Sequence, residues 1–144
     1  MQEEFFRASA MILRDIETVK RVTYEMIEDY SKQNTRYLEL RSTPKALGGL
    51  TKADYITAIY DVIEAAQTDF PKIRVRYLMS INRAAGVEAA REAIELAKVY
   101  NKYLVGVELS GDSRIATFSD YQEVFQAARD LGLKVTLHCA CCEE

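Results

Sequence analysis

One alternation runs through the chain four times: an apolar stripe at helical spacing, then a short strand-like run. From Asp15 to about Tyr30, the residues Ile16, Val19, Val22, Tyr24, Met26, Ile27 and Tyr30 recur largely three and four apart, which predicts a helix. Asn34 follows as a residue that tolerates the left-handed backbone closing a helix. Arg36–Arg41 (Arg-Tyr-Leu-Glu-Leu-Arg) then alternates as a strand does. Thr51, with Asp54 three residues on, reads as a capping box opening a helix to about Gln67, ended by Asp69-Phe70-Pro71. A strand over Ile73–Ile81, a helix over about Val87–Tyr100 and a strand over Leu104–Leu109 come next. Ser119 with Gln122 predicts the cap of a last helix that Gly132 closes, and Lys134–His138 is the fourth strand.

Strand starts near 36, 73, 104 and 134 give a period of about 30 to 37 residues. Strands separated by helices at that spacing are βαβ crossovers, which makes the strands parallel and their connections right-handed. Two architectures accept such units, an open doubly wound sheet and a (β/α) barrel. Buried strands of open α/β sheets usually read as unbroken apolar runs. Here Glu39, Arg74, Arg76 and Glu108 lie inside the strands, which suits a barrel mouth better. A complete eight-fold barrel takes about 250 residues, and this chain has 144.

A chain of 16.4 kDa, 49% hydrophobic and 28% charged, has the size and composition of one folded domain over residues 1–144. Its net charge of −3 leaves no basic excess for a nucleic-acid backbone. No apolar run reaches the roughly 18 to 20 residues of a membrane span, and the acidic opening Met1-Gln2-Glu3-Glu4 is unlike a secretory signal. The three cysteines, Cys139, Cys141 and Cys142, are crowded together and odd in number, so a disulfide framework is not expected and a reduced, cytoplasmic setting is.

In either architecture, chemistry gathers beyond the carboxyl ends of the strands. Arg41-Ser42-Thr43-Pro44-Lys45 sets a guanidinium, two hydroxyls and an ammonium at one such end. These are donors for a phosphate or another anion, or a turn before a proline with solvated cations. Asn82-Arg83 occupies the second end. Ser110-Gly111-Asp112 places a glycine where a ligand can approach the backbone, or where the chain only turns. No glycine-rich phosphate loop occurs, which argues against Rossmann and P-loop nucleotide cofactors. His138, the only histidine, sits at the fourth strand end as a metal ligand, a general acid/base or a residue without a role. Catalytic zinc takes three protein ligands and an open position, and the chain has no second histidine. His138 with Cys141, Cys142 and Glu143 could scavenge zinc, but these ligands are too close in sequence for a typical structural site.

Taken in order, Tyr37–Lys45 (Tyr-Leu-Glu-Leu-Arg-Ser-Thr-Pro-Lys), Val75-Arg76-Tyr77-Leu78, Gly106–Asp112 (Gly-Val-Glu-Leu-Ser-Gly-Asp) and Leu133–His138 resemble the strand-end signatures of adenosine deaminase-like proteins, in the N6-methyl-AMP deaminase branch. The resemblance covers about Asp15 to Ala140. It implies a zinc-dependent (β/α) barrel that hydrolytically removes the amine from the purine six-position, with zinc activating a water and a glutamate handling the proton. By the same resemblance His138 is a zinc ligand at the end of the fifth barrel strand. Gly111 meets the purine edge, Ser42, Thr43, Pro44 and Lys45 form a substrate-binding loop, and Asn82 falls on a substrate-contacting position.

The sequence also departs from that family. No His-x-His pair opens it, and Cys141 stands where the proton-handling glutamate belongs, with Glu143 and Glu144 two and three residues too late. The expectation is therefore a partial (β/α) TIM-type barrel: four parallel strands equivalent to strands 2–5 of eight, preceded by an N-terminal helical segment. Such a chain would be incomplete as a catalyst and would expose two sheet edges able to self-associate. The alternatives are a non-catalytic interaction module docking on a full-length relative, and an unrelated anion-binding α/β protein using Arg41, Ser42, Thr43 and Lys45.

Overall fold

The structure is a computed structural model and describes residues 13–139. Its elements, in order, are α1 (Ile16–Lys32), β1 (Tyr37–Ser42), α2 (Lys52–Asp69), β2 (Arg74–Asn82), a 3₁₀ turn (Arg83–Ala85), α3 (Gly86–Val99), β3 (Leu104–Ser110), a second 3₁₀ turn (Phe118–Tyr121), α4 (Gln122–Asp130) and β4 (Lys134–Leu137). Cys141, Cys142, Glu143 and Glu144 lie outside the described residues.

The helix ends follow local chemistry. Asp15 caps α1 by accepting from the Thr18 backbone N–H at 2.8 Å, and Asn34 takes φ 61° just past its end. Thr51 and Asp54 form the expected capping box on α2. The cap of the last helical segment is not the expected one. Residues 118–121 first wind as a 3₁₀ turn, so the start moves two residues earlier, and the Asp120 carboxylate accepts from the Thr117 N–H at 2.8 Å. The Ser119 hydroxyl instead meets the Thr117 hydroxyl at 2.6 Å. β1 and β2 begin and end one residue later than their alternation suggests.

The four strands form one parallel sheet in the order β1-β2-β3-β4. A doubly wound sheet needs a point where the strand order reverses. Here the order is sequential and each crossover steps to the next strand, with no reversal. This is the topology of a (β/α)-barrel segment, matching the expected partial barrel with a helical segment ahead of β1. Among the described residues no helix is long and apolar enough to cross a membrane.

Two compact units divide the chain, one running to Leu38 and resuming over Pro44–Val75, the other comprising Glu39–Thr43 and the residues from Arg76 onward. In the first, α1 packs on α2 and buries Val19, Ile27, Ile56, Ile59 and Ile63. The Tyr24 hydroxyl donates to Asp69 at 2.6 Å, which raises the tyrosine above its ordinary pKa, while its ring packs on Phe70 at 5.8 Å.

In the second unit the sheet has two unlike faces. Met79 lies level with Val107 and Ile81 with Leu109, all at 3% exposure or less, so this face makes core with Ile94, Val124 and Phe125. Ser80 lies level with Glu108 and Thr136 on the opposite face. Strand side chains alternate in direction, so the charge inside β3 points away from the apolar core. Gly106 is a glycine for close packing: a Cβ there would stand 2.5 Å from the Lys134 carbonyl oxygen of β4.

Two outcomes follow from this packing. Gly106→Ala is expected to lower stability in urea by about 1–3 kcal/mol, as overpacking against main chain does, and to speed amide exchange in β4 before β2. Hydrogen bonds from the Thr51 side chain and then its backbone hold the Asp54 carboxyl below its ordinary 3.8. A depressed carboxyl stabilises the fold above its unfolded pKa, and that contribution fades as pH falls through the lower folded value. Asp54→Asn should therefore flatten the stability curve below about pH 4 in acid denaturation, and an unchanged acid limb would contradict it.

Candidate functional site

The polar face of the second unit ends in a cluster drawn from three strands. β4 stops at Leu137, and the His138 N–H continues the ladder by donating to the Leu109 carbonyl at 2.8 Å. Its imidazole Nε2 lies 3.2 Å from Glu108 Oε1 and 2.8 Å from Arg41 Nη1. Arg41, near the end of β1, also donates from Nη1 to Glu108 Oε2 at 2.8 Å. The Glu108 side chain is only 9% exposed, and a carboxylate so placed needs charged donors to offset its lost hydration. A single ring nitrogen either accepts from Arg41 or donates to Glu108, not both at once.

Asn82 and Gly111 meet beside this cluster. The Asn82 Oδ1 accepts from the Ala84 N–H at 2.9 Å and caps the 3₁₀ turn. Gly111 has φ 89°, and a Cβ on it would stand 2.5 Å from that same Oδ1. Folding alone thus demands a glycine at 111, through both its backbone and its neighbour.

The Ser42 hydroxyl pairs with the Tyr77 hydroxyl at 2.9 Å, and the buried Tyr77 also donates to the Ser42 carbonyl at 3.1 Å. Thr43 is exposed and belongs to the same unit. Pro44, which is buried, and Lys45 belong to the first unit, where the Lys45 ammonium donates to the Leu13 carbonyl at 3.0 Å.

Arg41, Ser42, Asn82, Glu108, Gly111 and His138 therefore share one unit, all at or near strand carboxyl ends. In the first unit a pocket of about 280 Å³, beside the amino-terminal ends of β1 and β2, is lined by residues including Asn34, Arg36, Asp69, Phe70 and Lys72. In a parallel α/β fold that end carries stability rather than chemistry.

The donor set does not make a zinc site by itself. Among the described residues no group of three His, Cys, Asp or Glu side chains converges on one point. His138 contributes one nitrogen, already faced by a guanidinium, and Glu108 is already held by Arg41. Three protein ligands are the usual minimum for catalytic zinc.

Sequence reasoning singled out His138, Gly111 and Asn82, but gave no special role to Glu108, Tyr77 or Arg83. Glu108 did carry a signal, a carboxylate inside a strand. Gly111→Ala is expected to lower stability by about 1–3 kcal/mol through crowding and a strained φ. Asn82→Ala should recover part of that loss in a double-mutant cycle; simple additivity would show that Asn82 is not what Gly111 accommodates.

The adenosine deaminase family profile matches residues 2–142. The adenosine deaminase-like protein of Drosophila melanogaster is 41% identical over 118 residues, covering 79% of this chain and 35% of its own length. The N6-methyl-AMP deaminase of Mus musculus is 34% identical over 143 residues, covering 95% of this chain and 40% of its own. The apo N6-methyl-AMP deaminase of Arabidopsis thaliana superposes with TM-score 0.88 at 33% identity, over 98% of this chain and 44% of that one. A further Arabidopsis structure, of the adenosine deaminase-like protein ADAL complexed with GMP, superposes equally well at 34% identity. The chain spans about two fifths of the length of these relatives. It belongs to the adenosine deaminase family.

Proposed function

We propose that this chain forms part of the reactive rim of a hydrolytic, zinc-dependent deaminase of 6-aminopurine nucleotides, of the kind that converts N6-methyl-AMP to IMP. The observation that carries this reading is the meeting of Glu108, Asn82, Gly111 and His138 at strand carboxyl ends, in a chain of this family. In a relative of this kind zinc supplies an activated water. Here His138 would offer one ligand nitrogen, and further ligands would have to come from polypeptide outside these four strands. The backbone beside Gly111 and the amide of Asn82 would meet the base edge, and the Ser42-Thr43-Pro44-Lys45 loop would bind the substrate. With one histidine in 144 residues and Cys141 at the expected glutamate position, the isolated chain would bind purine nucleotide and zinc weakly and turn over little. We place it in the cytoplasm on its clustered, odd-numbered cysteines.

The interaction-module reading has its own support. β1 and β4 end the sheet order, and Leu137 on β4 is 41% exposed, so a second chain could add to these edges. Light scattering of the pure chain from 1 to 100 μM (on the order of typical weak-association constants) should then show self-association, and a concentration-independent monomer would exclude it.

The deaminase reading is tested with the purified 144-residue chain. Calorimetry should detect IMP binding, weakened about tenfold, roughly 1.4 kcal/mol, by Asn82→Ala. Methylamine release from N6-methyl-AMP should stay near the uncatalysed rate with or without zinc. Absence of any purine-nucleotide binding would overturn the ligand assignment, and zinc-dependent turnover would overturn the claim of incompleteness.

A further inference from the structure

Arg83 is 5% exposed, and among the described residues its side-chain hydrogen bonds run only to main-chain carbonyls. Nε donates to Ala116 at 3.1 Å, Nη1 to Gly111 at 3.2 Å with a longer 3.5 Å contact to Ser110, and Nη2 to His138 at 2.9 Å. Its own carbonyl accepts from the buried Tyr121 hydroxyl at 3.0 Å, which anchors the residue to the segment leading into α4.

A buried cation without a carboxylate is unfavourable unless other dipoles replace its hydration. Here carbonyls of two separate loops do so, one following β3 and one following β4. A guanidinium is suited to this, because its planar fork fixes several acceptors in set directions, which a lysine ammonium cannot do. Both loops carry a residue of the candidate site, Gly111 and His138.

We propose that Arg83 is the positioning residue of this rim: one buried guanidinium ties the turn at Gly111 to the end of β4 and so sets where the His138 imidazole stands. That this placement serves a ligand rests on the deaminase reading; that the two loops are coupled does not. Arg83 touches no ligand in this scheme and acts through the backbone it holds.

The single histidine makes the proposal measurable in the full chain, because His138 gives the only imidazole signal in a nitrogen-15 spectrum. Arg83→Lys keeps the charge and loses the fork. It should shift or broaden the His138 imidazole signals. It should also speed exchange of the Ile115 and His138 amides at least tenfold, leaving Val107 and Leu109 in β3 as protected as in the parent. Arg83→Lys with unchanged imidazole signals and loop exchange overturns the proposal.

If the variant does not fold, the parent chain decides. Coupled loops predict that the Ile115 and His138 amides open with the same protection factor, within about threefold, and open together as mild denaturant is added. Independent opening overturns the coupling. IMP titration separates the two ideas: a parent chain that fails to bind IMP but shows coupled loops removes the deaminase reading and leaves the positioning role intact.

Discussion

The strict alternation of side chains along β3 governs the rest of this molecule. Val107 and Leu109 enter the apolar core, so Glu108 between them and Ser110 after them must point the other way. A carboxylate left only 9% exposed is tolerable only with donors in reach. Arg41 from one strand and His138 from another supply contacts. Parallel order then places every strand's carboxyl end on the same rim, so the residues answering that charge are also those nearest the loops. The polar cluster and the fold have one cause.

Much of this was legible in the residues. The period of strands and helices predicts βαβ units, and charges inside the strands favour a barrel over an open sheet, as the sequential strand order bears out. The Thr51–Asp54 cap and the left-handed Asn34 follow from chemistry within a few residues. The Thr117 cap was missed because Ser119 and Gln122 have the right spacing too. Which start is used depends on whether the first turn is 3₁₀ or α, and spacing does not encode that.

The rim was less legible, for a physical reason. Arg41 and Glu108 are 67 positions apart, and Arg83 reaches acceptors 28, 33 and 55 positions away. Those acceptors are backbone carbonyls, which every residue carries, so no residue type marks the partner. Gly111 illustrates a second difficulty. A glycine at a strand end reads as a place for a ligand to approach, while the chain itself needs that glycine to clear Asn82. Both demands can hold at one position.

The metal question has the same form. His138 stands where a ligand nitrogen would be useful, but the nearby groups are an arginine and a carboxylate bound to it. That arrangement satisfies buried charge without a metal. The central proposal is that these residues build a nucleotide-facing rim and leave the hydrolytic centre incomplete. Its most direct test is an amide-detected nuclear magnetic resonance titration of the full chain with IMP. The predicted result is a set of shifts confined to the neighbourhood of Ser42, Asn82, Gly111 and His138. Shifts centred instead on Asn34–Arg36 and Phe70–Ile73, or none at saturating nucleotide, would contradict it.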